Sequence, residues 1–572
     1  MSCPAQVIRS REGSGLVGLR DLRGSRGKGT RSGERPSRAP PPFRIKGVST
    51  GTTRAARGAW AALSGLVAGY AALAVAELVA VGARPSAGPV TAVGGAVIDR
   101  TPSGVKDWAI RTFGTDDKLV LQLGVLAVLA LCAAGLGILA QRTRRIAAAG
   151  VVLIGALGAA AALSRPDAAG PLDALPALAG AAVGAVVLYV LAGKLHSPVV
   201  AEVGATTTGG LPRRGFVLAT AGVAVAATGV GAAARTLRAN SSATADTARA
   251  RVRLPVPASP APPLARAVDL RIAGVAPFTT PNRDFYRVDT ALRVPQVDPG
   301  GWRLRLHGKG VGSPRTLTFQ ELLDRPLIER DITMTCVSNE VGGPYVGSAR
   351  WLGVPLASLL DEAGVRPPSR GGPADQLVAR SVDGMTLGTP VETVMDGRDA
   401  MLAVGMNGEP LPFEHGFPVR MLVPGLYGYV SACKWIEDIE LTTFDAYDPY
   451  WVQRDWAREA PIKTQSRIDT PKPFARPAAG KVAVAGVAWA QHRGIDRVEV
   501  RVDEGPWQRA DLAPEGSLDT WRQWRWDWAA TSGSHTLQVR ATDGTGTPQT
   551  SARTRTIPDG ASGWHSVVVN VT

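Results

Sequence analysis

The sequence predicts a multi-domain chain: a helical membrane anchor, then an α+β domain, then a C-terminal immunoglobulin-like β-sandwich. Three observations carry this expectation. Long apolar stretches fill the N-terminal part; from about residue 267 strand and short-helix patterns alternate irregularly; from about 476 only short strand patterns remain. The resulting boundaries are a basic disordered tail over 1–57, a five-helix anchor over 58–236 and a Pro/Ala-rich linker over 237–266. The α+β domain then covers 267–475 and the β-sandwich 476–572.

The formal net charge of +16 is concentrated in the tail, in runs such as Arg20-Asp21-Leu22-Arg23 set among Gly, Ser and Pro. Such a segment buries too little apolar surface to fold. No nucleic-acid motif accompanies the charge, so no nucleic-acid partner is expected. Four cysteines in 572 residues do not make a disulfide framework.

A helix needs about 20 apolar residues to cross a bilayer. Spans are expected near 59–82, 119–140, 146–163, 174–193 and 215–235. Basic segments mark the cytoplasmic side: the tail, Gln141-Arg142-Thr143-Arg144-Arg145 and Pro212-Arg213-Arg214 fall together if the spans alternate. The loops 83–118 and 164–173, with Asp116, Asp117, Asp167 and Asp173, then face outward. An odd number of spans places everything after about 236 outside the cytoplasm. The expected location is the cell membrane, multi-pass, with an extracytoplasmic catalytic domain. Arg213-Arg214-Gly215-Phe216-Val217 is similar to a twin-arginine export signal and serves equally as a plain topology determinant. Pro255, Pro257, Pro260, Pro262 and Pro263 predict an extended linker.

In the α+β part, Trp302-Arg303-Leu304-Arg305-Leu306-His307 and Asp331-Ile332-Thr333-Met334-Thr335 alternate as strands. Thr318 is placed to cap a short helix at Phe319-Gln320-Glu321-Leu322-Leu323, and Val354-Pro355-Leu356 opens another. In the C-terminal part, 482–489, 498–502, 524–528 and 535–540 read as strands, with Trp524, Trp526 and Trp528 on one packed sheet face.

Two stretches carry the chemistry. One is Thr333-Met334-Thr335-Cys336-Val337-Ser338-Asn339, followed by Gly347-Ser348-Ala349-Arg350-Trp351-Leu352-Gly353. The other runs from Asn407-Gly408-Glu409-Pro410 through His415, Arg420 and Gly425 to Ser431-Ala432-Cys433-Lys434-Trp435. A thiolate is a soft donor suited to a metal that changes oxidation state. Arginine, lysine and histidine among glycines suit a phosphate, which a guanidinium grips with two directed hydrogen bonds.

Together these stretches resemble the molybdopterin domain of the sulfite oxidase family, over roughly 267–572. The resemblance implies a molybdenum–molybdopterin cofactor with Cys336 as metal ligand. It implies pterin contacts from His415, Arg420 and the Ala432-Cys433-Lys434 segment, Cys433 being a small packed residue and not a second ligand. Thr280-Pro281-Asn282-Arg283-Asp284-Phe285-Tyr286 looks like the family's first pterin-binding segment, with Asn282, Phe285 and Tyr286 as contacts. Ser381-Val382-Asp383-Gly384 resembles a further contact loop through Asp383. The resemblance also implies a C-terminal module that mediates homodimerisation.

The substrate pattern departs from the sulfite-oxidising members. Where they place arginines after the cysteine, this chain has Glu340 and Val341. Arg350 matches the Ala-Arg-Trp motif and is expected, with Cys336, at the catalytic centre of a cationic pocket for a small anionic or sulfur-oxo substrate. Only His196 of the six histidines lies near a span, and no Cys-x-x-Cys-His segment occurs, so electrons are expected to pass to a separate partner. The alternatives are a sulfoxide-type reductase with the same cofactor, or a non-catalytic membrane-anchored immunoglobulin-like binding protein.

Overall fold

The computed structural model describes residues 51–572 apart from 103–104, 106–107, 110–111, 114–115, 166–167, 169 and 197–212. The basic tail over 1–50, Asp167 and Pro212 therefore lie outside the described residues. Residues 56–572 form one compact unit; residues 1–55 form another, of which only 51–55, the opening of the first helix, are described.

Among the described residues, the N-terminal helical part holds α1 (Gly51–Gly82), α2 (Pro89–Arg100), α3 (Asp117–Leu139), α4 (Arg144–Leu163), α5 (Leu175–His196) and α6 (Arg213–Arg251). Five of these described helices are long and apolar enough to cross a membrane, close to the five expected spans. Leu123, Leu131 and Leu153 point outward while Ala61, Ala68 and Ala147 are buried. This small-inside, large-outside arrangement lets helix backbones approach closely, as packing between helices in a bilayer would require. A Cβ on Gly65 or Gly137 would collide with the facing carbonyl of Ala133 or Ala61.

Two features depart from the expected anchor. The loop expected to face outward holds a helix of its own, α2, which begins at Pro89, where a missing N–H costs nothing. The Pro/Ala-rich linker is helical as far as Arg251, because α6 runs unbroken for 39 residues. Its alanines favour helix, and the first proline, Pro255, comes only after it ends. The end of α6 seats on the following domain: Arg249 donates from Nε to the Leu411 carbonyl at 2.7 Å and from Nη2 to the Pro410 carbonyl at 2.6 Å.

The next domain has two sheets. One has the order β2-β1-β10-β5-β6, made of β1 (Arg303–Gly308), β2 (Arg315–Thr318), β5 (Gln376–Ser381), β6 (Thr386–Pro390) and β10 (Ile436–Thr442). The other runs β3-β4-β7-β8, with β3 (Ile328–Thr335), β4 (Val346–Pro355), β7 (Met401–Met406) and β8 (Glu409–Pro410). Strand β9 (Arg420–Leu422) pairs with β7. Leu304 and Leu306 of β1 are fully buried, as its alternation predicts. Thr318 caps the helix Phe319–Leu323 in a reciprocal capping box with Glu321.

The C-terminal unit packs two four-stranded antiparallel sheets, β11-β12-β16-β15 and β14-β13-β17-β18, around one core. Its strands are β11 (Gln465–Thr470), β12 (Gly480–Trp489), β13 (Ile495–Val502), β14 (Gln508–Arg509), β15 (Asp511–Leu512), β16 (Arg522–Ala530), β17 (Gly533–Asp543) and β18 (His565–Val571). Its first strand starts before the expected boundary at 476, since β11 pairs with β12. The turn prolines at 471–477 lie within this unit and do not precede it. Trp524 and Trp528 are buried and Trp526 packs beside them, which is the one-face placement that period-2 spacing predicts. Replacing Trp524 by Ala should destabilise this core by about 3–5 kcal/mol, read as a lowered thermal midpoint of the detergent-solubilised chain.

Candidate active site

The last five residues of β3 are buried, and Cys336 is the first to leave the sheet. Its N–H donates to the Tyr345 carbonyl at 3.0 Å and its carbonyl accepts the Asn339 N–H at 3.1 Å. These two bonds close the loop so that the thiol faces a cleft, with Sγ 2.9 Å from the Ser338 hydroxyl. Burial raises the thiol pKa, while Ser338 and Lys434 act in the opposite sense.

The opposite wall is cationic. Arg420 enters on β9, and its Nη1 donates to the His415 carbonyl at 3.1 Å. Its guanidinium lies 5.2 Å from the Trp351 ring centre. The Arg420 Nε is buried with no hydrogen-bond acceptor, which leaves a charged donor in want of an anion. Desolvation lowers this guanidinium to about 10. Lys434 donates to Asp289 at 2.9 Å and to the Glu414 carbonyl at 3.2 Å. Burial lowers its ammonium to about 8, against the pull of Asp289. His415 holds the Asn282 carbonyl through Nε2 at 2.9 Å, and because a carbonyl only accepts, the proton sits on Nε2. Burial drops its pKa to about 4, so the ring is neutral near pH 7.

The Asn282–Asp284 turn delivers Phe285 and Tyr286 to the cleft, with ring centres 5.2 Å apart. Phe285 also meets His415 edge-on at 5.5 Å. Thus Phe285, Tyr286, Cys336, His415, Arg420, Ala432 and Lys434 line one cleft.

Four other residues expected at the site do not line it. Asn282 is engaged with Asn407 and the Met406 carbonyl, and stands behind His415. Cys433 is fully buried in the domain core. Asp383 accepts the Thr290 hydroxyl at 3.1 Å in an adjoining recess. Arg350 is a correction to the cationic substrate pocket. It faces Asp331 across the β3–β4 pair and is held by two bonds of 3.0 and 2.7 Å, outside the cleft.

Sequence reasoning missed Ser338, Tyr429, Trp451 and Trp456 in the lining. The last three pack as a ring cluster, Tyr429–Trp456 at 5.5 Å and Trp451–Trp456 at 6.1 Å. Trp451 and Trp456 close the two ends of one turn, the Trp456 N–H donating to the Trp451 carbonyl at 3.2 Å, and no spacing signals that Tyr429, on the short helix Gly428–Ser431, meets them. Asp289 was missed as a keystone, although an acid two residues from Arg287 invites pairing.

The cleft holds about 800 Å³ of space, counting the part open to solvent. A soft thiol on one wall and a partnerless arginine nitrogen on the other fit a metal carried on an anionic organic chelator. Gly416 sets the spacing of the cationic wall: with φ of +110°, its added Cβ would lie 3.1 Å from both Arg420 and Lys434. Replacing Gly416 by Ala should cost about 1–3 kcal/mol and lower the molybdenum and pterin content of the purified chain.

Comparison with known proteins agrees with this geometry. Residues 291–451 match the oxidoreductase molybdopterin binding domain. Mouse mitochondrial sulfite oxidase is 30% identical over 292 residues, covering 43% of this chain and 52% of that protein. Chicken sulfite oxidase is 32% identical over 292 residues, covering 43% of this chain and 62% of that protein. The chain thus spans about half the length of the first curated relatives it matches. The sulfane dehydrogenase SoxCD of Paracoccus pantotrophus superposes with a TM-score of 0.44 at 26% identity, over 52% of this chain and 84% of that one. Residues 291–451 thus form a molybdopterin-binding oxidoreductase domain whose cofactor is molybdenum–molybdopterin, and over this region the chain is similar to the sulfite oxidases.

Proposed function

We propose that this chain is a membrane-anchored oxidoreductase that transfers an oxygen atom to or from a small sulfur-oxo substrate on the extracytoplasmic side. The observation that carries the reading is the single cleft that brings Cys336 to face His415, Arg420 and Lys434. When bound, the cofactor supplies two-electron oxygen-atom exchange at its metal. Cys336 is the residue that would ligate the metal as a thiolate. The free Nε of Arg420 and the Lys434 ammonium would grip the anionic end of the pterin. Neutral His415 fixes the Asn282 turn and thereby the Phe285–Tyr286 wall. Tyr429, Trp451 and Trp456 would give the cofactor and substrate an aromatic wall.

The charge balance favours an uncharged substrate. Among the described residues lining the cleft the basic groups are His415, Arg420 and Lys434, and the last two are assigned to the cofactor. Glu340 and Val341 add no cation, and Arg350 is held by Asp331. An aromatic wall without a spare cation suits a sulfoxide or a related neutral sulfur compound better than the sulfite dianion. The reductase direction is therefore the favoured one, with sulfite oxidation as the second reading. Electrons would pass to or from a separate partner, since in the sequence only His196 of the six histidines lies near an apolar span. The C-terminal sheets are read as the immunoglobulin-like dimerisation module, and the positive segments as cytoplasmic.

Replacing Cys336 by Ser should abolish turnover while the chain stays folded by circular dichroism; retained turnover would remove the ligand assignment. Assays in both directions, sulfite with an oxidised dye and sulfoxide with a reduced dye, should give the faster rate with sulfoxide. A pH series tests Lys434. Its ammonium is the anion-binding form and burial lowers it to about 8, so cofactor uptake by the apoprotein should hold below that pH and fall above it.

A further inference from the structure

The anchor reaches into the wall of the cofactor cleft. Lys118, in the first turn of α3, donates to Asp289 Oδ1 at 2.8 Å, to the Asp289 carbonyl at 3.3 Å and to the Ala291 carbonyl at 2.8 Å. Asp289 Oδ2 takes Lys434 at 2.9 Å and Arg287 at 2.8 Å. The carboxylate is 1% exposed. Burial alone would raise its pKa, but Lys434 and Lys118 outweigh that and hold it well below the usual carboxylate range. A single buried negative charge therefore anchors three cations, one from the membrane part and one that lines the cleft.

We propose that the anchor completes the cofactor site, with Lys118 as a positioning residue that holds Asp289 and, through it, the Lys434 ammonium toward the anionic end of the pterin. The inference rests on the reading of Lys434 as a cofactor contact. Two physical effects act together. With Lys118 on Oδ1, the carboxylate is oriented so that Oδ2 presents to Lys434 in one geometry. Three cations also share one carboxylate, so Lys434 holds only part of its charge. Without Lys118 the carboxylate turns more fully onto Lys434 and draws its ammonium away from the anion. Other contacts dock the anchor without touching Asp289: the Tyr450 hydroxyl donates to Asp99 of α2 at 2.6 Å, and Arg454 stands 3.6 Å from the same carboxylate. These supply the control.

The experiment uses the full chain in detergent and measures molybdenum by elemental analysis and pterin by the fluorescence of its oxidised form, as purified and during a timed wash. Lys434→Met should lose most of the cofactor. Lys118→Met should release it about tenfold faster, the effect of one charge-assisted hydrogen bond. Lys118→Arg should restore retention, and Asp99→Asn should behave as the parent. If Lys118→Met retains cofactor while Lys434→Met loses it, the positioning role is overturned and the assignment of Lys434 stands. If Lys434→Met also retains it, the assignment of Lys434 has failed and the inference with it. If Asp99→Asn releases cofactor as fast as Lys118→Met, general docking explains the effect and the specific role is overturned.

Discussion

Burying a cation without a counter-charge is among the costliest things a fold can do, and this domain buries Arg420 and Lys434 side by side. The arrangement persists because each is partly compensated. Arg420 has a carbonyl and an indole face, and Lys434 has Asp289. The compensation is incomplete at the Arg420 Nε. On the proposed reading that shortfall is what an anion would fill; a fully satisfied pair there would be a salt bridge and nothing more.

The strands explain how the two halves of the site meet. Cys336 follows β3, while Arg420 begins β9, which joins the same sheet through β7. Residues more than eighty positions apart thus face each other because one sheet carries both. Arg350 lies on β4 of that sheet, but its register with Asp331 turns it to a different use. A motif residue can sit in the right strand and still belong to structure.

Much of this was legible in the sequence for physical reasons. The apolar spans, the Thr318 cap, the alternation of β1 and the tryptophan face of β16 each depend on local periodicity or local hydrogen bonding. That Cys336, His415, Arg420 and Lys434 would meet at one cleft was legible because each stands within a distinctive run. Illegible were the features made by tertiary contact. The Tyr429–Trp451–Trp456 wall joins the short helix Gly428–Ser431 to the turn around Val452–Arg454, and Asp289 gains its meaning only from lysines at 118 and 434. The linker failed for another reason: its prolines were read as representative of the whole segment, whereas the alanines before them extend α6.

That extension alters the mechanics of the assembly. A helix of 39 residues measures about 58 Å, while the hydrocarbon layer takes about 30 Å. Set in a bilayer, the surplus would stand as a strut, not a leash, with its far end locked by Arg249 to two carbonyls. A strut fixes height and heading. Whatever redox protein visits the cleft would then meet it at one standing orientation above the lipid, and would have to be shaped for that gap.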